Sequence, residues 1–310
     1  MTGLADIRIY IAAHKQTFVP EHPWFYPLQI GTALNKPLDG FLHDNSGEHI
    51  SEKNKTYCEL TGQYWAWKNE QADYYGFYHY RRYFSFKQEK YPYVIYQYPD
   101  AATMDFMRCE PGFMEAFITR YDIIVPVAED MHETAWQNYS RAPQHYMEDL
   151  KLAARIVKKQ HPDYADAVDT YLGGTKLYLK NMYIMKHDLF YQYCSWLFPI
   201  LEEFDQRNNW QKYNGNNTAM RVDGYLAERL FGIWYTRLKQ NADIKSAELS
   251  RVHFAGIDGG KGGLQKMKLI NAILPPGTKR RSIVSRWARF VLKNCRGRFS
   301  AEKRASTSTR

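Results

Sequence analysis

The sequence predicts an α/β fold in which a mostly parallel sheet is flanked by helices. Short β-branched and aromatic runs alternate along the chain with longer stretches of helical apolar spacing. The 310 residues are enough to bury a sizeable core in one large domain. The first run, IRIYIA at 7–12, is followed by His14 and Lys15. In open α/β sheets, ligands bind at the carboxyl ends of such strands.

The next elements are a loop, a helix and an aromatic strand. Pro and Gly are frequent up to about Gly47, which predicts a loop. A helical pattern then runs from 51 to 67, with Ser51 as its N-cap. The run DYYGFYHYRRYFSF at 73–86 has high strand propensity and holds several charged side chains.

The second half repeats the alternation. Strands are predicted at 121–127 (YDIIVPV), 177–185 (LYLKNMYIM) and 252–256 (VHFAG). A helix is predicted over 146–160, where His161-Pro162 stops it, and another runs from Leu189 through Ile200. An Asn-rich loop precedes the last helix, YLAERLFGIWYTRL at 225–238.

The charge is concentrated at the carboxyl end. Net charge is +9, and from Lys279 onward there are 11 Lys and Arg against one acid, which leaves 31 basic and 32 acidic residues before it. Ile283, Trp287, Phe290 and Val291 share one helical face among basic residues, which favours a helix lying on an anionic membrane. The alternatives are nucleic-acid binding and, for the last ten residues, a disordered tail. Nucleic-acid binding ranks lower because the near-neutral body has no second basic stripe.

Composition excludes several classes of protein. The four cysteines are scattered and form no zinc pattern, which indicates a reduced, cytoplasmic protein. The chain shows no signal-peptide pattern, no apolar run of about 18 residues, and neither of the glycine-rich phosphate-binding motifs. Aromatic residues make up 16%, including 25 Tyr and 8 Trp; most are expected in the core, but aromatic faces also suit sugar rings.

Six segments together resemble a known family. They are ISEKN (50–54), YCELTGQYWAWKN (57–69), DYYGFYHYRRYF (73–84), NMYIMKHDLF (181–190), YCSWLFPIL (193–201) and GYLAERL (224–230). The family was long labelled a domain of unknown function, DUF4422, and it occurs among bacterial capsular and exopolysaccharide glycosyltransferases. The resemblance covers about 7–256 and implies a GT-A-like enzyme that uses nucleotide sugars, with galactofuranose or another hexose as the transferred sugar.

HYRRY at 79–83 is the first candidate site. Most GT-A enzymes place a metal-binding D-x-D motif at a comparable strand end, whereas this chain has His79, Arg81 and Arg82. Two guanidinium groups bind phosphate oxygens bidentately, so they are able to replace a metal at a donor diphosphate. The alternative is a strand of core aromatics with one arginine facing a structural carboxylate. In a regular strand Arg81 and Arg82 would face opposite sides.

Asp223 is the second candidate, as the catalytic base. The string DGYLAER at 223–229 resembles the D-x-x-L-x-x-R pattern of inverting GT-A enzymes, whose Asp takes the proton of the acceptor hydroxyl. The alternative is an ordinary helix N-cap. Glu228 is the alternate base; the other interpretation is that it pairs with Arg229 or with a neighbouring strand.

The resemblance also implies the donor-binding residues. Those expected at the nucleoside are Ala12, His14 and Lys15; those lining the same cleft are Lys53, Asn54 and Glu59; those at the sugar are Asn181 and Met182. No metal or other cofactor is expected, although Glu129 and Asp130 would supply two acids if their loop folds back.

These patterns predict a catalytic domain at 1–258, a hinge at 259–278 and a basic tail at 279–310. The expected function is transfer of a hexose from a UDP-sugar to a lipid-linked glycan acceptor at the inner face of the cytoplasmic membrane, with inversion, in capsule, exopolysaccharide or O-antigen synthesis. Two alternatives are a noncatalytic glycan-binding or scaffold protein of the same pathway and a nucleic-acid-binding protein acting through the tail. Nucleic acid is not an expected partner.

Overall fold

A computed structural model describes residues 5–88, 90–240 and 243–257, together with residues 269, 272–274, 280 and 284. The strands are β1 (Ile7–Ala13), β2 (Phe25–Gln29), β3 (Leu42–His43), β4 (Tyr74–His79), β5 (Arg82–Ser85), β6 (Tyr93–Tyr96), β7 (Ile123–Pro126), β8 (Glu129–Asp130), β9 (Lys176–Leu177), β10 (Tyr183–Lys186) and β11 (Ser246–Phe254). The α-helices are α1 (Asn54–Tyr57), α2 (Leu60–Asn69), α3 (Ala101–Phe106), α4 (Pro111–Ile118), α5 (Ala135–Arg141), α6 (Met147–Gln160), α7 (Ala165–Gly173), α8 (His187–Arg207) and α9 (Val222–Leu238).

The large sheet is mixed, which corrects the expectation of a mostly parallel one. Five pairings are parallel among the described strands of this sheet. Strand β1 pairs with β2 and with β4, strand β2 pairs with β3, and strand β11 pairs with β6 and with β7. Four pairings are antiparallel among the described strands of this sheet: β4 with β5, β10 with β4 and with β7, and β11 with β5. The reversals arise because the chain turns back directly after β4 and because β10 enters between β4 and β7 in the opposite direction.

Helices cover both faces of this sheet. One core cluster lies between the sheet and helices α2 and α6 to α9, and includes Trp65, Leu150, Phe190 and Leu230. The other lies under α3 and α4 and includes Met114 and Ile118. This layering is the arrangement expected from the alternation of strands and helices.

Three predicted elements are interrupted in the structure. The strand 73–86 is divided into β4 and β5, and the helix 51–67 is divided into α1 and α2. The strand 177–185 is broken between β9 and β10. Left-handed backbone conformations mark two of these breaks, at Cys58 (φ 52°) and at Lys180 and Asn181 (φ 86° and 48°). Such conformations are costly for residues other than glycine and cluster at functional sites.

The predictions of helices α6 and α9 and of strand β1 are confirmed closely. The predicted loop before Gly47, in contrast, contains the strands β2 and β3. Buried Asp44 organises this region, since its carboxylate accepts the backbone N–H groups of Gly31 (2.8 Å) and Thr32 (3.0 Å). It also accepts the hydroxyls of Ser51 (2.5 Å) and Thr61 (2.6 Å). Ser51 is therefore a partner of Asp44 and not the predicted N-cap.

Candidate active site

A cleft opens where the adjacent parallel strands β1 and β4 end. Its volume is about 200 Å³, and a wider recess of about 550 Å³ continues from it. Both are lined by Cys58, Glu59, His79, Arg81 and Arg221. The cleft is also lined by Ala12, Gln63, Phe77, Tyr78, Arg82, Lys180, Asn181, Gly224, Tyr225 and Glu228, and the recess by His14, Ile30, Asn54, Lys55, Asn217 and Met220.

The turn between β4 and β5 delivers both arginines of the HYRRY motif to this cleft. Tyr80 and Arg81 form the turn, and His79 pairs with Arg82 across it. The Arg81 backbone N–H donates to His79 Nδ1 at 3.2 Å. Because Arg81 lies in a turn, strand alternation does not separate the two side chains, and both line the cleft. The expectation that they would face opposite sides is wrong.

The cleft carries an excess of positive charge. Its lining contains four cationic side chains, Arg81, Arg82, Lys180 and Arg221, against the two carboxylates of Glu59 and Glu228. Burial, helped by the charges of Arg82 and Arg81, holds the pKa of His79 well below its ordinary value. His79 is therefore neutral at physiological pH and adds hydrogen-bonding capacity instead of charge. An excess of two positive charges suits an anionic ligand.

The two carboxylates of the cleft are held differently. Glu228 Oε1 accepts the Lys180 backbone N–H at 3.0 Å and lies 4.0 Å from the Lys180 ammonium. Glu228 Oε2 also accepts Arg229 Nη1 at 3.5 Å, so the pairing with Arg229 that the sequence offered is present, although the carboxylate still lines the cleft. Glu59 Oε1 accepts Asn181 Nδ2 at 2.8 Å, and the same Nδ2 donates to the Gly224 carbonyl at 3.1 Å. Burial raises the pKa of Glu59, against the opposing effect of its hydrogen bond from Asn181.

The N-terminus of α9 packs closely on the segment that carries Glu59. A Cβ added at Gly224 would lie 3.3 Å from both Cβ and Sγ of Cys58, and Arg221 Nε donates to Cys58 Sγ at 3.1 Å. Burial raises the pKa of the Cys58 thiol to about 12, so at neutral pH this group is a neutral thiol. It therefore lacks the thiolate form that acts as a nucleophile.

Asp223 does not line the cleft. Its side chain is 0% exposed, in the first turn of α9, beside the Thr56 hydroxyl and the Asp205 carboxyl. No hydrogen bond of standard geometry reaches either of its carboxylate oxygens within the part of the chain that the structure describes. Burial and the nearby charge of Asp205 raise the pKa of Asp223 well above its ordinary value.

This position supports neither interpretation of Asp223 that the sequence offered. The N-cap of α9 is Arg221, not Asp223. A carboxyl group that is sealed from the cleft is also poorly placed to take a proton from a hydroxyl bound there. Asp205, whose carboxylate accepts the Tyr57 hydroxyl at 2.9 Å and the Lys53 ammonium at 3.4 Å, shares the buried environment. The two carboxyl groups therefore form a pair that retains a proton to raised pH.

A retained proton makes the stability effect of Asp223→Asn depend on pH. Below its pKa in the unfolded chain, about 3.9, Asp223 is neutral in both the folded and the unfolded protein. As the pH rises towards and through the higher pKa that Asp223 has in the folded protein, the cost of ionising the buried group destabilises the fold. We expect Asp223→Asn to raise Tm by at least about 2 °C at pH 8 and by less at pH 4.5, in thermal unfolding followed by fluorescence.

Asp122→Asn is the matched control. Despite partial burial, hydrogen bonds from Lys186 and from the Lys245 backbone lower the pKa of Asp122, so its loss is expected to lower Tm at pH 8. A Tm of Asp223→Asn that is reduced at pH 8 would contradict the shared proton. If turnover of this variant falls by about 10² with the fold intact, Asp223 regains the role of base.

The other predicted donor-site residues are only partly brought together. Ala12 and Asn181 line the cleft, and His14 and Asn54 line the recess. Three residues are not among the lining: Lys15, whose ammonium lies 5.7 Å from the Tyr80 ring centre; Lys53, which pairs with Asp205; and Met182, which is buried in the core. Asn181 precedes β10 in a left-handed conformation instead of lying on a strand, which turns its amide toward Glu59.

Sequence reasoning missed several cleft residues. Gln63, Cys58, Lys180, Arg221 and Tyr225 line the cleft but were not singled out. Arg221 and Tyr225 flank Asp223, and Lys180 precedes Asn181, so proximity to predicted residues was the available signal. Nothing in the local sequence distinguishes these side chains from surface residues.

The acids considered for a metal site are engaged elsewhere. Glu129 accepts Arg251 Nη2 at 2.6 Å, and the Asp130 carboxylate accepts the His132 backbone N–H at 2.9 Å. In the ranges that the structure describes, no group of three or more His, Cys, Asp or Glu side chains is arranged to hold a metal ion. The β4–β5 turn itself presents His79, Arg81 and Arg82 to the cleft.

None of the helices among the described residues is long and apolar enough to cross a membrane. The predicted hinge, apart from residues 269 and 272–274, and the tail residues Trp287, Phe290 and Val291 lie outside the described residues.

Comparison with known proteins supports the family resemblance. The apo structure of the bifunctional glycosyltransferase WbbM is similar to this chain, with 31% sequence identity, a TM-score of 0.77 and coverage of 81% of this chain. The match covers 45% of that protein's chain, so this chain corresponds to less than half of it. No curated protein sequence matched. The profile of the family described as "Domain of unknown function (DUF4422)" matches residues 8–241, and the chain therefore belongs to this family.

Proposed function

We propose that this chain is a glycosyltransferase that moves a hexose from a UDP-sugar to a hydroxyl group of a glycan acceptor. The observation that carries the proposal is the delivery of Arg81 and Arg82 into a cleft that also holds two carboxylates. The likeness to a bifunctional glycosyltransferase supports this reaction class. The fold alone does not assign a function, so the proposal depends on the chemistry of the cleft.

The arginines bind the donor diphosphate in this proposal. A nucleotide-sugar diphosphate is a dianion, which matches the excess of two positive charges in the cleft. When the bond between the anomeric carbon and the diphosphate breaks, negative charge grows on the leaving oxygen. Preorganised guanidinium groups stabilise that charge without reorganising. The nucleoside then lies in the recess near Ala12, His14 and Asn54, at the end of β1.

Glu228 is the proposed base, because among the two predicted candidates it is the one that lines the cleft. Its carboxylate takes the proton of the acceptor hydroxyl while that oxygen attacks the anomeric carbon. The anomeric configuration is thereby inverted. Glu59 and Asn181, joined by their 2.8 Å hydrogen bond, orient the hydroxyl groups of the transferred sugar.

The acceptor and the location belong to the same proposal. A lipid-linked oligosaccharide at the inner face of the cytoplasmic membrane would bring acceptor and enzyme together, in capsule, exopolysaccharide or O-antigen synthesis. The support is the basic, apolar-faced sequence beyond Lys279, which is typical of segments that bind anionic membranes.

Donor binding without a metal tests the role of the arginines. We expect UDP to bind at least ten times more tightly than uridine in isothermal titration, because the diphosphate contributes charge-assisted contacts. The expected affinity is the same in EDTA as in Mn²⁺ or Mg²⁺. Binding that requires a divalent ion would contradict the replacement of a metal by Arg81 and Arg82, and the absence of UDP binding would contradict the proposed function.

A further inference from the structure

Three large side chains are exposed at the outer strand β6: Tyr93 and Ile95 lie on the strand, and Tyr91 lies just before it. Tyr91 and Tyr93 are each 54% exposed and Ile95 is 50% exposed, whereas the alternating Val94 and Tyr96 pack against the core. We call Tyr91, Tyr93 and Ile95 the β6 strip. In the described part of the chain β6 pairs with β11 alone, so the strip lies at an edge of the sheet.

Strand register joins the β6 strip to the cleft. His253 of β11 pairs with Arg82 on one side and with Ile95 on the other. Side chains at directly paired positions project to the same face of a sheet, so Arg82, His253 and Ile95 form a row. Two strand spacings place Ile95 about 10 Å from Arg82. The strip is thus an outward continuation of the cleft wall.

Electrostatic contacts support this continuity. Burial and, after it, the charge of Arg251 lower the pKa of Arg82. The Arg251 guanidinium lies 5.9 Å from the Tyr93 ring centre. Arg251 is therefore near both Arg82 of the cleft and Tyr93 of the strip.

The chemistry of the strip suits a neutral ligand with alternating polar and apolar surfaces. Arg251, the cation beside Tyr93, is paired with Glu129 at 2.6 Å, so it offers little free charge to an anionic lipid. The strip itself has three side chains, far fewer than a stable protein interface needs. Tyrosine rings combine a flat apolar face with a hydroxyl group, which matches the C–H face and hydroxyl edge of a sugar.

We propose that the β6 strip is an acceptor subsite, which binds the sugar units that precede the acceptor's reacting terminus. The inference rests on the proposed function and extends it from the reacting hydroxyl to the acceptor chain. Tyr93 and Ile95, two positions apart on β6, are separated by about 7 Å, and Tyr91 precedes the strand, so the three side chains meet different parts of an extended oligosaccharide.

The test compares acceptor length in the full chain. Galacto-oligosaccharides and gluco-oligosaccharides of one to four units serve as acceptors for the wild type, for Tyr91→Ser/Tyr93→Ser, and for Tyr91→Phe/Tyr93→Phe, which keeps the rings. Leu42→Ser is the matched control, since Leu42 is 37% exposed on β3 at the opposite edge of the sheet. We expect the wild-type acceptor KM to fall at least tenfold from one unit to three or four.

The Ser variant is expected to lose this length dependence while its donor KM, its kcat/KM for the monosaccharide and its Tm stay unchanged. The Phe and Leu42 variants keep the wild-type profile. Length dependence that persists in the Ser variant, or that is absent from the wild type, overturns the subsite. A selective loss of binding to anionic vesicles, with unchanged oligosaccharide kinetics, overturns it in favour of a membrane contact.

Failure of the proposed function is distinguishable from failure of this subsite. If the wild type transfers no sugar, titration of a tetrasaccharide in the presence of UDP still decides the question. Binding by the wild type that the Ser variant loses supports the strip as a glycan site in a noncatalytic protein. Equal binding by both proteins, or binding by neither, contradicts it.

Discussion

Glu228→Gln is expected to lower kcat by roughly 10² or more, the usual effect of losing a general base. The amide retains the size of the side chain and an oxygen to accept the Lys180 backbone N–H, so the cleft keeps its shape. Donor KM is therefore expected to change little. Steady-state kinetics with a nucleotide sugar and a saturating acceptor measure both quantities.

Two comparisons make this result specific. Asp223→Asn, a carboxyl-to-amide change in the same helix but outside the cleft lining, is expected to retain turnover within about threefold. Glu59→Gln is expected to raise donor KM, because the Glu59 carboxylate accepts the Asn181 amide that orients the transferred sugar. Near-normal turnover by Glu228→Gln would remove Glu228 from the reaction and make Glu59 the next candidate base.

Replacing Arg81 or Arg82 by Ala is expected to reduce kcat/KM by about 10- to 100-fold each, since a hydrogen bond to a charged group contributes about 1.5–3 kcal/mol. The loss is expected in both UDP affinity and kcat, because charge on the diphosphate increases as the leaving group departs. Isothermal titration with UDP and steady-state kinetics separate the two contributions.

Lysine is the matched control at each position. Arg81→Lys and Arg82→Lys keep a positive charge but lose the planar fork, so they are expected to recover part of the UDP affinity and less of kcat. The double Ala variant is expected to lose more than either single variant but less than the product of the two losses, because both guanidinium groups contact one ligand. Unchanged UDP affinity in both single Ala variants would show that the diphosphate lies elsewhere.

Much of the fold follows from local sequence patterns. β1, α6 and α9 were predictable because each has a regular apolar period and a clear boundary, as with Pro162 after α6. The strands β2 and β3 were not predictable, because Pro27 and the flanking glycines are typical of a loop. These strands are stabilised by pairing of β2 with β1, by pairing of β3 with β2, and by buried Asp44. Strand direction depends on long-range pairing, so the mixed sheet was invisible in the sequence.

The parts of the candidate site that could be predicted are those whose charged residues lie together in one short motif. HYRRY and DGYLAER identified the two segments that meet at the cleft, but not which side chains face it. Arg81 reaches the cleft because it lies in a turn. Asp223 is excluded from the cleft because α9 begins two residues earlier than an Asp223 N-cap would require. Side-chain direction at element ends depends on tertiary packing, which a periodic pattern does not contain.

The most direct measurement of the central claim is product formation from a panel of nucleotide sugars. The full chain is incubated in EDTA with each donor and a lipid-linked glycan acceptor, and the products are identified by mass spectrometry and their anomeric configuration by NMR. The account predicts a single added hexose from a UDP-sugar, of inverted configuration, formed by the wild type and at about 10²-fold lower rate by Glu228→Gln. The absence of transfer from every donor, or a retained configuration with Glu228→Gln fully active, would contradict it.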